Sequence, residues 1–281
     1  MNQGFEGLYF KQQNENDVLC IIPAVNSNSG RSRASLQILT KDGAFFIEDS
    51  TPSFASLKHG AAQIGDSFFF YKGVHLDVKT DTLEASGNLK FSCPSYAKGD
   101  VMGVFRYAPF IGCRHSVLSM KHTVNGSITV NGKEYVFNNG IGYIEGDKGV
   151  SFPPAYIWTQ CMDKEASVMM TAADINVLGK NVRGVICLVH YGGVEYRFAT
   201  YLGAKIIKAN DKRFSVCQKG YVLSAEFENE PFLELAAPVS GSMCRSVKHC
   251  PQLNAVFTLK KGRKTVMQLK SSLASLENEL W

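Results

Sequence analysis

Apolar residues recur at every second position along much of this chain, and that period commits it to strands. In Val74-His75-Leu76-Asp77-Val78 the apolar side chains face one way and His75 and Asp77 the other, as in a half-buried strand. Residues 126–137 predict a hairpin with Asn131-Gly132 as its turn, pairing Ile128 with Tyr135 and Val130 with Lys133. A second hairpin through Gly192-Gly193 sets Val189 against Tyr196 and Cys187 against Phe198, with His190 and Glu195 as a surface pair on the reverse face. Strand-like runs also occur at 17–22, 34–39, 44–48, 66–71, 155–161, 167–171, 213–217 and 253–259. Helical period is confined to 54–63 and 272–280. So many strands with so few helices favour a barrel or sandwich over a βαβ fold.

At 281 residues the chain is long enough for one large or two ordinary domains. The period weakens around residues 95–120, where Pro94, Gly99, Gly103, Pro109 and Gly112 interrupt it. That break predicts two β halves, 1–112 and 113–281, and no short tandem repeat subdivides them. An apolar share of 45% with 20% charged residues excludes disorder as a description of the whole. The net charge of +5 is too small to argue for a nucleic-acid partner. No apolar run approaches the ~18 residues of a membrane helix. Met1-Asn2-Gln3-Gly4-Phe5-Glu6 has neither a basic n-region nor an apolar h-region, so a cytoplasmic location is expected. The eight cysteines contain no C-x-x-C pair and mostly sit in apolar stretches such as Val18-Leu19-Cys20-Ile21-Ile22, which predicts free thiols. Lys260-Lys261-Gly262-Arg263-Lys264 reads as a solvated hairpin tip, with peripheral contact with an anionic membrane surface as the other reading.

Most catalytic signatures are absent. Gly140-Ile141-Gly142-Tyr143-Ile144-Glu145-Gly146 has its last glycine one residue late for a dinucleotide loop, and no helix pattern follows it. There is no G-x-S-x-G elbow and no H-E-x-x-H. The six histidines are scattered; His115 lies two residues from Cys113, but no second pair completes a zinc shell. No metal and no organic cofactor is expected. His122, seven residues beyond His115, reads first as a structural residue and second as a functional one; His249, beside Cys250-Pro251, reads as a loop residue without a role.

The densest chemistry lies between residues 103 and 161. Glu145 and Asp147 stand at i and i+2, which in extended chain puts both carboxylates on one side, roughly 7 Å apart. Two such groups in an apolar setting cannot both ionise cheaply, so one is pushed toward the neutral acid. Downstream, Tyr156, Trp158 and Gln160 alternate onto one face. A neutral carboxyl beside an aromatic wall suits protonation of a carbon–carbon double bond and shielding of the cation that results. Read for local composition alone, Glu-Gly-Asp-Lys-Gly is instead a turn and Trp158 a core residue.

These residues resemble the tocopherol cyclase family. Glu145, Gly149, Phe152-Pro153, Trp158 and Gln160-Cys161 are similar to its E-K-N-W-G…F-P…W-F-W-V-Q-C stretch, and His115 falls where the family carries a histidine. Phe5-Glu6-Gly7-Leu8-Tyr9-Phe10-Lys11 is like the opening G-W-Y-F-K, and Ala237-Pro238-Val239 with Gly241-Ser242-Met243-Cys244 is like a late turn of the family. The chain departs from the pattern at Leu8, Asp147, Lys148 and Met162. The resemblance implies an all-β protein of two lipocalin-like antiparallel β-barrel halves with few short helices, as in carotenoid hydratases and some pericyclic cyclases. It implies acid-catalysed cyclisation of a prenylated hydroquinone-type lipid to a chroman, with Glu145 and His115 as catalytic residues; Asp147, a departure from the family, joins the catalytic set through its spacing from Glu145. Trp158, Tyr156, Gln160, Phe152, Tyr9 and Tyr143 would bind the hydrophobic substrate. The alternative is a non-catalytic binder of a lipid or prenyl ligand on the same barrel.

Overall fold

The computed structural model describes residues 3–49, 61–108, 111–177, 180–228 and 231–280. The first strands are β1 (Gln3–Gln13), β2 (Val18–Asn28), β3 (Arg31–Thr40), β4 (Gly43–Asp49), β5 (Ala61–Ile64), β6 (Ser67–Phe70) and β7 (Gly73–Lys79). They are followed by β8 (Glu84–Ser95), β9 (Cys113–Val130), β10 (Lys133–Gly149), β11 (Tyr156–Met162), β12 (Ala166–Val177), β13 (Lys180–Tyr191) and β14 (Val194–Ala199). The last are β15 (Lys205–Asn210), β16 (Arg213–Gln218), β17 (Tyr221–Phe227), β18 (Leu233–Val239), β19 (Ser242–Lys261) and β20 (Lys264–Glu279). Among the described residues there is no α-helix, only two short 3-10 turns at Gly103–Tyr107 and Thr200–Leu202. None of these is long and apolar enough to cross a membrane.

The strands form two antiparallel sheets of ten, the all-β, two-part barrel-like fold expected. The first runs β4-β3-β2-β1-β10-β9-β8-β7-β6-β5; the second runs β14-β13-β12-β11-β20-β19-β17-β16-β15, with β18 on β19. Both predicted hairpins keep their register: Tyr135 faces Ile128 and Lys133 faces Val130, while Tyr196 faces Val189 and Phe198 faces Cys187. Asn131 and Gly132 both take positive φ, as that turn requires. The basic run at 260–264 is the tip joining β19 to β20.

The compact units do not follow a cut at 112/113. One comprises residues 1–96, 113–152 and 235–246; the other comprises 97–112, 153–234 and 247–281. The reason is β10, which pairs with β1 along nine residues and so holds the β9–β10 hairpin in the first sheet. Each unit has its own core. In the first, Phe10, Leu19, Ile21, Leu36, Ile38, Phe69, Leu76, Val124 and Phe137 are buried together. In the second, Ile157, Val168, Cys187, Phe214, Leu223, Phe257, Leu259 and Leu276 are. Each large side chain so buried contributes about 1.5–3 kcal/mol.

The helix expected at 272–280 is strand: β20 runs to Glu279. Of the other expected helix, residues 54–60 lie outside the described residues and Ala61–Ile64 is β5. The run Glu145-Gly146-Asp147-Lys148-Gly149 is the end of β10 and not a turn. All eight cysteines are unbridged.

Candidate functional site

Alternation along β1 and β10 divides their side chains between two faces. Phe10 and Ile144 belong to the core of the first unit, so Tyr9, Lys11, Tyr143, Glu145 and Asp147 face away from it. In register, Tyr9 stands opposite Glu145, Lys11 opposite Tyr143, and His115 of β9 opposite Asp147. The β9–β10 pairing shifts register between Gly142 and Ile144 and again between Ile144 and Glu145. Such irregularities re-aim the side chains beside them. They set Glu145 opposite Val117, so that His115, two residues before Val117, lies on the diagonal to Glu145.

Glu145 is 5% exposed and holds a dense set of partners. Tyr143 O–H donates to its Oε2 at 2.5 Å, and His115 Nε2 lies 3.5 Å from the same oxygen, within ion-pair range. On the other side of the ring, His115 Nδ1–H donates to Asp147 Oδ1 at 3.1 Å. Cys113 Sγ donates to that oxygen at 3.7 Å. The Asp147 side chain keeps 25% of its surface in solvent and Glu145 only 7%, so the row Glu145–His115–Asp147 leads from a buried carboxyl toward water. Burial, and then the Glu145 charge, push the Tyr143 phenol well above its ordinary range. Burial, with Asp147 next, does the same for the Cys113 thiol. Both groups therefore stay protonated donors, and Cys113 is no thiolate nucleophile.

The sequence had assembled no metal shell from cysteines and histidines. The structure does bring together a mixed set: one ligand atom each from His115, Glu145 and Asp147 lie within 4.8 Å of one another. The two carboxylates, however, address different nitrogens of the imidazole. A cation takes one of those nitrogens, whereas a proton relay uses both.

The remaining expected residues fall in several places. Tyr9 O–H pairs with Cys20 Sγ at 3.0 Å, on the face of Glu145. The Phe152 ring packs edge-on against Phe5, with centroids 5.4 Å apart. Lys148, which replaces a ring in the family pattern, turns to solvent and pairs with Glu6 at 2.7 Å. Lys11 was not singled out beyond the opening motif, yet it is fully buried on the face of Tyr143.

Tyr156, Trp158 and Gln160 lie on β11 of the second unit, all buried and facing away from the core residues Ile157 and Cys161. They share that face with two groups that the sequence did not reveal. Tyr156 O–H donates to Glu277 Oε2 at 2.7 Å, and His249 Nδ1–H donates to Glu277 Oε1 at 2.8 Å. The indole of Trp158 stacks on His249, with centroids 6.1 Å apart. His249 is therefore no loop residue: it is fully buried in β19, ahead of a register shift between Cys250 and Leu253 that accommodates Pro251. The amide of Gln160 is buried with neither polar atom hydrogen-bonded. His190, expected at the surface, is partly buried and pairs with Glu195 at 3.1 Å, which also binds Arg197.

No family model and no curated protein matches the chain. Solved structures do. CghA in complex with Sch210972 is 11% identical, with a TM-score of 0.62 over 99% of this chain and 89% of that one. A protein described as AttH from Nitrosomonas europaea is 8% identical, with a TM-score of 0.58 over 100% of this chain and 93% of that one. Kievitone hydratase from Nectria haematococca is 11% identical, with a TM-score of 0.56 over 100% of this chain and 90% of that one. At such identities the likeness is one of fold, and the chain has the two-part β fold of these proteins from end to end.

Proposed function

We propose that this protein protonates a carbon–carbon double bond of a hydrophobic small molecule, and that the reaction is cyclisation of a prenylated hydroquinone-type lipid to a chroman. The observation that carries the reading is the buried Glu145 carboxyl, with His115 between it and the more exposed Asp147. Neutral Glu145 gives its proton to one alkene carbon, leaving a tertiary cation at the other. The phenolic oxygen attacks that carbon and closes the ring. The phenol proton then returns to the Glu145 carboxylate, so proton and charge balance and no redox partner is needed. Asp147 orients His115, and His115 holds the proton inventory of Glu145. Tyr143 O–H supports the carboxylate while it is ionised. Tyr9, Tyr143 and Phe152, in the unit that carries Glu145, are the proposed ligand-contacting residues of that site. Tyr156, Trp158 and Gln160 are proposed separately as ligand-contacting residues of the second unit.

Two supports stand beside the geometry. The motif resemblance to tocopherol cyclases covers Glu145, His115 and Trp158. One protein of the same fold is by name a hydratase, and acid-catalysed addition of water to an alkene begins with the same proton transfer. A second reading, a binding protein without turnover, is favoured by Lys148, whose side chain leaves no cation-stabilising ring at that position. Incubation with a geranyl- or phytyl-substituted hydroquinone, read by mass spectrometry and chromatography, separates the two. A chroman made by wild type and not by Glu145→Gln is expected. Binding without product establishes the second reading.

A further inference from the structure

The strands that carry Glu145 present a second polar group on their other face. Gln12 follows Phe10 by two residues and stands in register with Gly142, which stands in register with His122. Glycine at the centre of that row leaves room for both side chains, because a Cβ at 142 would fall on His122 Nε2 and Gln12 Oε1 and displace them. The amide and the imidazole thus lie side by side over a bare stretch of backbone.

Neither group is satisfied there. Gln12 is fully buried, with neither its amide nitrogen nor its oxygen hydrogen-bonded. His122 is 3% exposed; its Nδ1 meets Ser119 Oγ at 3.1 Å, while its Nε2 has no partner. A buried donor or acceptor left unpaired is costly, and three such atoms are gathered at one point. The surroundings are aromatic. Phe91 packs on the imidazole with centroids 4.4 Å apart, Phe10 lies 6.2 Å from Phe91, and Phe69 lies 6.3 Å from Phe10. Burial lowers the His122 pKa to about 3, so the ring is neutral at physiological pH. An amide and a neutral imidazole offer both donors and acceptors but no charge.

We propose that Gln12 and His122 form a second ligand site in the first unit, which binds the uncharged hydroxyl or carbonyl oxygen of an otherwise apolar molecule. The oxygen bonds to the Gln12 amide and His122 Nε2, and the apolar body lies against Phe91, Phe10 and Phe69. This site is independent of the chemistry assigned to Glu145, since it lies on the opposite face of β1 and β10.

The test is a titration of protein carrying 15N-labelled histidine with 4-ethylphenol, and with ethylbenzene as the probe lacking the hydroxyl. The expected result is a saturable shift of the His122 Nε2 resonance by 4-ethylphenol at concentrations at least tenfold below those at which ethylbenzene acts. Gln12→Leu should weaken that response at least tenfold. A His122 resonance that 4-ethylphenol leaves unmoved overturns the proposal, as does equal response to both probes, which would mean simple partition into an apolar core. An unchanged response in Gln12→Leu also overturns it. If Gln12→Leu fails to fold, the comparison of the two probes on wild type decides alone.

Discussion

Two groups address the same oxygen of Glu145, and they fix what each substitution there should do. Tyr143 and His115 both approach Oε2, so the side chain is held whichever protonation state it carries. Glu145→Gln keeps the shape and some of these bonds but has no proton to give. Turnover should fall by ~10²–10⁴ while ligand affinity stays within a few-fold, as measured by steady-state kinetics and equilibrium binding. Asp147→Asn keeps a hydrogen-bond acceptor for His115 Nδ1 and removes only charge, so its loss of rate should be smaller. His122 gives a separate prediction from stability. Its pKa of about 3 in the folded state lies below the ordinary 6.5. The unfolded chain therefore binds the extra proton, and stability is fully present above the ordinary value and lost as pH falls through that window. The slope should approach about 1.4 kcal/mol per pH unit. Denaturant titrations of wild type and His122→Phe at several pH values check this, and the difference between the two should carry the slope.

At the scale of single strands, β10 does the most. It joins the two halves of the first sheet by pairing with β1, supplies Tyr143, Glu145 and Asp147 on one face, and leaves Gly142 bare on the other. Gly142→Ala should destabilise by about 1–3 kcal/mol through overpacking on Gln12 and His122. Gln12→Ala added to it should recover part of that loss, a non-additivity that a double-mutant cycle reads directly. Hairpins such as Asn131-Gly132 were legible in the sequence because turn chemistry and register are local. The last strand was not. Leu273, Leu276 and Leu280 repeat at three and four, a helical spacing. Yet in β20 both faces are buried, Ala274 and Leu276 on one and Ser275 and Glu277 on the other, so the period of two disappears. Glu145-Gly146-Asp147-Lys148-Gly149 read as a turn on local composition because of its two glycines, whereas Gly146 is there for space: a Cβ would press on Leu8 and the Gly7 carbonyl. The pairing of His249 with Glu277, 28 residues apart, needed a register that no local pattern carries.

For the whole molecule, the all-β class was legible in the sequence, whereas the compact units follow a division that no local pattern carries. The break in period at 95–120 is real, yet residues 97–112 belong with the second unit while β9 and β10 return to the first. Trp158 offers a probe of ligand entry into the second unit: a prenyl quinone should quench its fluorescence in a Trp281→Phe background. Trp281, the only other indole, lies outside the described residues. Unchanged emission at saturating ligand would count against Trp158 as a ligand contact. The central claim is that a carbon of the substrate receives a proton from Glu145. The direct measurement is turnover of a geranyl hydroquinone in deuterated water, with the product analysed by mass spectrometry and NMR. A chroman carrying one deuterium on the former alkene carbon is predicted; a ring-closed product with no carbon-bound deuterium would contradict the account.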